Sequence, residues 1–411
     1  MRWGVIVAAV ICLALRKPQG VTNPQIWAED GSVFFGQAYL DGVASLGERY
    51  AGYFHTIPRV IALLAEEFVP SQAPWVFSAS WIVGLIWVAL FATSPRVALP
   101  GAVFIPLILL LAPIDGEPFF NVTNLQWLLA WILVLIAVAR TPTSFFGKLH
   151  DTVAVLSIGL SGLFSVFLFP LFLLKAVWER SAHAIYLLVL TAVCAVIQVV
   201  GFDTVQRAPP VAEPIYSDYW RVLGRPLFGW LYGPVTPLAA ELAWLQSALG
   251  GLTLLLLFLG AAWSLRKRNF PALGFFTAAT LMWIAVGISI SGNPSILLAG
   301  GARYFFLQPT LMVAGLLTCG LLPKRVNAGV SILLVGVVAL HLEDYADPKV
   351  RDVRWARQLQ CLSKPLKVAP DGSPIVDMCR IRLQPPGWYV ELPPRAAIGA
   401  VSQGAVSSLG R

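Results

Sequence analysis

The chain has 411 residues, with 29 Lys or Arg against 21 Asp or Glu, so charged residues make up 12% of it, about half the share of an average soluble domain. Hydrophobic residues reach 57% and mean hydropathy is +0.74; apolar runs separated by short polar breaks exclude disordered, collagenous and disulfide-scaffold classes and most soluble folds. The formal net charge of +8 sits at the ends of apolar runs, where lipid orientation explains it, so nucleic acid is not an expected partner.

A bilayer crossing needs about 20 helical residues, with about 17 as a lower limit. The first apolar run, Trp3 to Leu15, follows Arg2. No A-x-A-like site follows, so an uncleaved first span is expected over a cleaved signal peptide. Further runs are Trp75 to Thr93, Val97 to Pro113, Phe119 to Ala139, Leu149 to Trp178, His183 to Gly201, Leu245 to Leu265, Phe270 to Ile290, Tyr304 to Leu322 and Val326 to His341.

Lys and Arg gather in short cytoplasmic loops. Arg96, Arg140 with Lys148, Lys175 with Arg180, Arg266 to Arg268, and Lys324 with Arg325 therefore mark that side. The alternation closes under two conditions. The stretch Ile57 to Val69, with its Glu66-Glu67 pair, must be an interfacial helix, and Leu149 to Trp178 must be two short helices turning near Ser161-Gly162. Arg16 and Lys17 then stand as the one exception.

The expected fold is an all-α polytopic membrane protein of about eleven transmembrane helices. Interfacial helices lie in the first exported loop and a small soluble tail closes the chain. Residues 1–342 form the membrane domain, with exported loops over 17–74 and 202–244 and shorter ones over 114–118 and 291–303. Residues 343–411 form the exported tail, where Cys361 and Cys379 are the only cysteines and an oxidising compartment favours a disulfide.

Nearly all the polar chemistry thus falls on one face, where loops held by a scaffold concentrate function. Glu29 and Asp30 are adjacent carboxylates in a Gly-punctuated loop, suited to a general base or metal ligand, or simply to a solvated turn. His55 and Arg59 follow in an aromatic stretch, Arg59 as a phosphate contact or a snorkelling side chain; no second His lies at zinc-ligand spacing. Glu117, Asn121, Asn124 and Gln126 enter an apolar run, where polar groups imply partners or a water-filled cavity. Arg221 lies among Tyr216, Tyr219 and Trp220, a pattern for sugar stacking with phosphate pairing or for an amphipathic surface helix. Arg303 and Tyr304 stand at the exported end of a span after two glycines. No P-loop, dinucleotide-binding, G-x-S-x-G or C-x-x-C motif occurs.

The order of these features resembles the membrane glycosyltransferases of the C superfamily (GT-C), in particular its poorly characterised bacterial members. The resemblance is carried by Ala28-Glu29-Asp30-Gly31, Gly52 to Arg59, Glu117 to Trp127 and Ala302-Arg303-Tyr304-Phe305. It implies transfer of a sugar from a polyprenyl-phosphate carrier to a glycan, lipid or protein acceptor on the periplasmic face of a bacterial inner membrane. The N-terminus would be cytoplasmic and the tail periplasmic. Asp30 would be the base with Glu29 assisting, and Arg59 or Arg303 would hold the phosphate. His55, Glu117, Asn121, Asn124, Gln126, Arg221 and Tyr304 would line the substrate site. Many relatives carry a D-x-D or E-x-D pair, whereas the adjacent Glu29-Asp30 leaves a divalent metal open and no cofactor certain. A transporter or flippase for a lipid-linked saccharide, or a structural subunit of an envelope assembly, is the alternative.

Overall fold

A computed structural model of the chain describes residues 2–97, 108–109, 112, 114, 116–200, 202, 216–232, 242–292, 302–320, 350–365, 367–368, 370 and 374–398. After α1 (Arg2–Arg16) and the single turn α2 (Gln19–Thr22), a π-helical turn (Asp30–Phe35) continues as α3 (Gly36–Asp41). The strands β1 (Arg49–Tyr50) and β2 (Tyr53–Phe54) pair antiparallel and lead into α4 (Thr56–Phe68) and α5 (Ala73–Ala92). The helical body continues with α6 (Val122–Val138), α7 (Phe145–Gly159), α8 (Phe164–Glu179), α9 (Ala182–Val200), α10 (Tyr216–Tyr232), α11 (Ala243–Arg266), α12 (Phe270–Gly292) and α13 (Leu307–Thr318). The tail holds α14 (Trp355–Gln358) and two antiparallel hairpins, β3 (Lys367–Val368) with β4 (Pro374–Ile375) and β5 (Cys379–Arg382) with β6 (Tyr389–Leu392).

The described residues are mostly helical, and four helices are long and apolar enough to cross a bilayer: Pro70–Ala92, Ala182–Val200, Ala243–Arg266 and Phe270–Ser289. This is the make-up of an all-α membrane protein. The other expected crossings are shorter or fall outside the described residues. α1 has 15 residues, α6 has 17, and α13 has 12, while the runs expected over 97–113 and 326–341 lie largely or wholly outside.

α6 is the centre of the body. Only Trp127 on it is not buried, and a helix that is apolar all round needs protein on every side. Its neighbours include α5, α7, α8 and α12. The run Leu149 to Trp178 divides as the charge pattern requires, with α7 ending at Gly159 and α8 starting at Phe164. Gly162 adopts φ +107° in the turn, a conformation open to glycine. That tip is tied to the start of α4: the Gly162 N–H donates to the Phe54 carbonyl at 3.0 Å, and the Ile57 N–H donates to Ser161 Oγ at 2.8 Å. α4 itself has 13 residues. It packs on α3, α5, α6 and α7.

The tail is not a separate appendage. Ile26, Phe34, Phe35, Ala62 and Phe77 share one apolar core with Trp355, Leu359, Ile381, Leu383, Val390 and Leu392. The Gln384 carbonyl accepts from the Ala28 N–H at 2.5 Å and its N–H donates to the Ile26 carbonyl at 2.9 Å. Trp355 Nε1 donates to the Pro70 carbonyl at 2.9 Å, and Cys361 and Cys379 form a disulfide. First loop and tail thus make one layer at one end of the body.

Basic groups collect at the other end. Both guanidinium nitrogens of Arg96 donate to Asp151, at 2.9 and 2.7 Å, and Lys175 Nζ pairs with Glu179 at 2.7 Å. Arg16 and Lys17, the exception in the charge pattern, have a local reason to lie at the loop end. Arg16 donates to the Ala112 and Ile114 carbonyls, and Lys17 donates to those of Gly116 and Phe119 at 2.9 and 3.2 Å. These cations serve carbonyls that the turn leaves without helix partners.

Candidate functional site

The N-terminus of α6 organises the site. The first four N–H groups of a helix lack intrahelical acceptors, and here three of them find one. Asp30 accepts from the Val122 N–H at 3.0 Å, from the Thr123 N–H at 2.9 Å and from Thr123 Oγ1 at 2.5 Å. Asn121 Oδ1 takes the Asn124 N–H at 2.8 Å. Asp30 is 1% exposed. Burial pushes its carboxyl up to about 7, against the downward pull of those donors.

This arrangement separates the two carboxylates. Asp30, expected as the base, has its oxygens committed to the helix end. Glu29 instead lines a cavity of about 140 Å³ between the first loop, α6, α8, α12 and the turn before α13. The Tyr50 hydroxyl reaches Glu29 Oε1 at 3.4 Å. Burial, together with the Glu29 charge, pushes that phenol well above its usual value, so it remains a donor.

The cavity has two kinds of wall. Its polar side carries Glu29, Tyr50, Tyr53, His55, Asn124, Gln126, Arg303 and Tyr304, and its apolar side Leu163, Phe164, Phe167, Met282, Ala285 and Val286. The carbonyl oxygens of Asn124 and Gln126 have no hydrogen-bond partner among the described residues, although both side chains are buried. Such acceptors are costly to leave unmet; the Gln126 oxygen packs against Gly162 in the turn before α8.

Arg303 on the cavity wall forms an ion pair with Glu117. Burial disfavours the Arg303 charge, but Glu117 together with Tyr304, Glu29 and Tyr53 outweighs it and the guanidinium stays cationic. His55 stacks on Tyr53 with ring centroids 4.5 Å apart. Its Nδ1 lies 3.2 Å from the Tyr53 carbonyl, which only accepts, so Nδ1 carries the hydrogen and Nε2 is an acceptor. Burial pushes His55 down to about 3, so the ring is neutral.

The structure therefore gathers Glu29, His55, Asn124, Gln126, Arg303 and Tyr304 at one cavity, with Glu117 fixing Arg303. It leaves four expected residues elsewhere. Asp30 and Asn121 cap α6. Arg59 is 1% exposed beneath the first loop, donating from Nη1 to Gln37 Oε1 at 2.8 Å; its Nε and Nη2 have no hydrogen-bond partner among the described residues, and it is not part of the cavity lining. Arg221 donates to Gln246 Oε1 of α11 at 3.1 Å. Its helix is held there by a glycine contact: a Cβ on Gly224 would lie 1.8 Å from the Gln246 carbonyl oxygen. Tyr50, Tyr53 and Trp127 line the cavity and had no assigned role in the sequence. The aromatic hairpin around Ala51-Gly52 was the signal for the first two. Among the described residues, no three His, Cys, Asp or Glu side chains cluster as a metal site would require.

No family model, no curated protein and no solved structure matches the chain.

Proposed function

We propose that the protein is a membrane glycosyltransferase that moves a sugar from a polyprenyl-phosphate carrier to an acceptor at the exported face. The observation that carries this reading is the mixed lining of the cavity, which combines charged and aromatic side chains of the first loop and Arg303 with apolar ones from α8 and α12. A lipid-linked sugar has the same combination, with a polar head on an apolar chain. At about 140 Å³ the space is smaller than the roughly 300 to 1,000 Å³ of ordinary ligand pockets, so it takes the headgroup end of such a molecule, and most of the lipid chain lies outside.

In this reading Glu29 is the general base, a role moved from Asp30 because Glu29 is the carboxylate that reaches the cavity. The acceptor oxygen bonds to the anomeric carbon while the bond from that carbon to the phosphate oxygen breaks. The hydroxyl proton passes to Glu29, and the electron pair leaves on the phosphate, beside Arg303. Neutral His55 accepts a hydrogen bond from a sugar hydroxyl, and the Asn124 and Gln126 side chains border the same space. Tyr50, Tyr53, Trp127 and Tyr304 offer faces for a sugar ring. The site's polar groups lie at one end of an otherwise apolar α6, which favours one-sided chemistry over a transport path.

Glycan release from a radiolabelled polyprenyl-phosphate sugar by purified protein in nanodiscs tests the reading. Wild type should consume the donor, and Arg303→Gln should slow it at least about tenfold, since a charge-assisted contact to the leaving phosphate is lost. A wild-type protein that binds the donor and moves it across a vesicle membrane without breaking it would replace this reading with transport.

A further inference from the structure

A second concavity, of about 820 Å³, lies on the tail, away from the cavity described above. It is lined by Arg351, Arg354, Arg357, Arg380 and Arg382, with Trp388 and Tyr389 beside them. All five arginines are exposed, and both aromatics are 42% exposed. Among the described residues only Arg380 has a carboxylate within ion-pair reach, Glu391 at 3.8 Å. Asp352, the one acid in the lining, accepts instead from the Arg354 backbone N–H at 2.7 Å.

The local fold holds these cations together. In β5, Cys379 and Ile381 point inward, which turns Arg380 and Arg382 to the open face. Arg354 and Arg357 sit one turn apart at the start of α14. The Cys361–Cys379 disulfide joins β5 to the turn Leu359–Ser363 that follows α14. Gln358 joins α14 itself to β5, accepting from the Arg382 N–H at 2.8 Å and donating to its carbonyl at 3.3 Å. The Arg380 guanidinium lies over the Tyr389 ring at 3.6 Å. Crowding like charges in a concave wall raises a positive potential and costs stability, which a bound anion would offset.

We propose that this groove binds an anionic saccharide, one carrying carboxylate or phosphate groups. Guanidinium forks match both anions in geometry, and the exposed Trp388 ring can stack on a sugar ring. A lipid surface would call for a convex or flat basic patch, whereas these side chains line a recess. The hairpin that bears the groove is hydrogen-bonded through Gln384 to Ile26 and Ala28, and Glu29 follows directly in the chain. If the transferase reading holds, on which this one extension rests, the groove is where an anionic acceptor chain is held on its way to Glu29. Binding itself does not depend on that reading.

The test uses full-length protein in nanodiscs of uncharged lipid, with Trp fluorescence and calorimetry as readouts. The probes are an oligogalacturonate and a phosphorylated oligomannoside, each beside its neutral counterpart, the methyl ester and the dephosphorylated sugar. Expected are saturable binding of at least one charged probe, at least about tenfold weaker binding of its neutral counterpart, and a steep loss of affinity with added salt. Arg354→Ala with Arg382→Ala should weaken binding at least about tenfold with the melting temperature kept, and Glu29→Gln should leave it unchanged. Equal binding of charged and neutral probes, no binding of either pair, or binding only to phosphatidylglycerol vesicles would overturn the proposal. The wild-type comparison decides even if the double variant does not fold.

Discussion

Two polar centres lie at opposite ends of the helical body, and they are built in opposite ways. At the basic end Asp151, fully buried, takes both guanidinium bonds of Arg96, with His150 Nδ1 at 3.0 Å and His183 Nε2 at 3.1 Å. The Trp87 indole then donates to His150 Nε2 at 2.9 Å. Nearby, Lys175 donates to the Ala139 carbonyl at 2.6 Å, and Thr141 Oγ1 donates to the second oxygen of Glu179, also at 2.6 Å. At the loop end, Glu29, His55, Arg303 and Tyr304 surround a cavity, and Asn124 and Gln126 keep unmet oxygens. A saturated network stabilises and positions helices, whereas one that leaves acceptors unmet beside a cavity gives up stability there. Both ends are rich in charge, so composition does not tell them apart, but hydrogen-bond completeness does.

The sharpest way to break the comparison is Asp151→Ala. It leaves Arg96 without its carboxylate and should cost ~3–5 kcal/mol, read as a large fall in melting temperature and folded yield. If stability holds and only turnover falls, the basic end is not a structural hub. Next comes Asp30→Ala, which strips two backbone N–H groups of α6 and one hydroxyl of their acceptor. Chemical denaturation should show a loss of ~1–3 kcal/mol, with turnover per folded molecule little changed.

The pH dependence sharpens the same point. The Asp30 carboxyl is raised from the ordinary aspartate value of about 4 to about 7 by burial. The folded chain therefore holds this proton to higher pH than the unfolded chain. Its contribution to stability is fully present below about pH 4, is lost as pH rises from there to about 7, and is level above that. Melting curves across that window should slope downward for wild type and flatten in Asp30→Ala; identical slopes would remove Asp30 as their source. Smallest in stability is Glu29→Gln, a change at a cavity wall that should move unfolding by no more than ~0.5 kcal/mol.

Much of this was legible before any coordinates. Sparse charge and apolar runs carry the membrane class. The need for basic residues at both ends of Leu149 to Trp178 forced the turn that Gly162 makes. The acidic, aromatic and arginine segments around residues 29, 55, 124 and 303 do meet. What the sequence cannot rank is Glu29 against Asp30. Adjacent residues on a helical turn point about 100° apart, and which one faces the cavity is decided by the end of α6, some ninety residues further on. Arg221 and Arg59 illustrate the same limit. Each sits in a convincing local pattern, but a glycine contact between α10 and α11 and the packing of α4 under the first loop take them to other partners. The tail's union with the first loop was equally hidden, because its short strands complete their core with residues such as Phe34 and Phe35, more than three hundred positions away.

The central claim is that the carboxylate facing the cavity, and not its buried neighbour, takes the acceptor's proton. The most direct measurement is donor turnover by purified Glu29→Gln and Asp30→Asn proteins, normalised to folded protein. Glu29→Gln should lose about 10²- to 10⁴-fold with an unchanged melting temperature, and Asp30→Asn should retain most of its turnover. Full activity in Glu29→Gln, or a selective loss in a stable Asp30→Asn, would contradict the account.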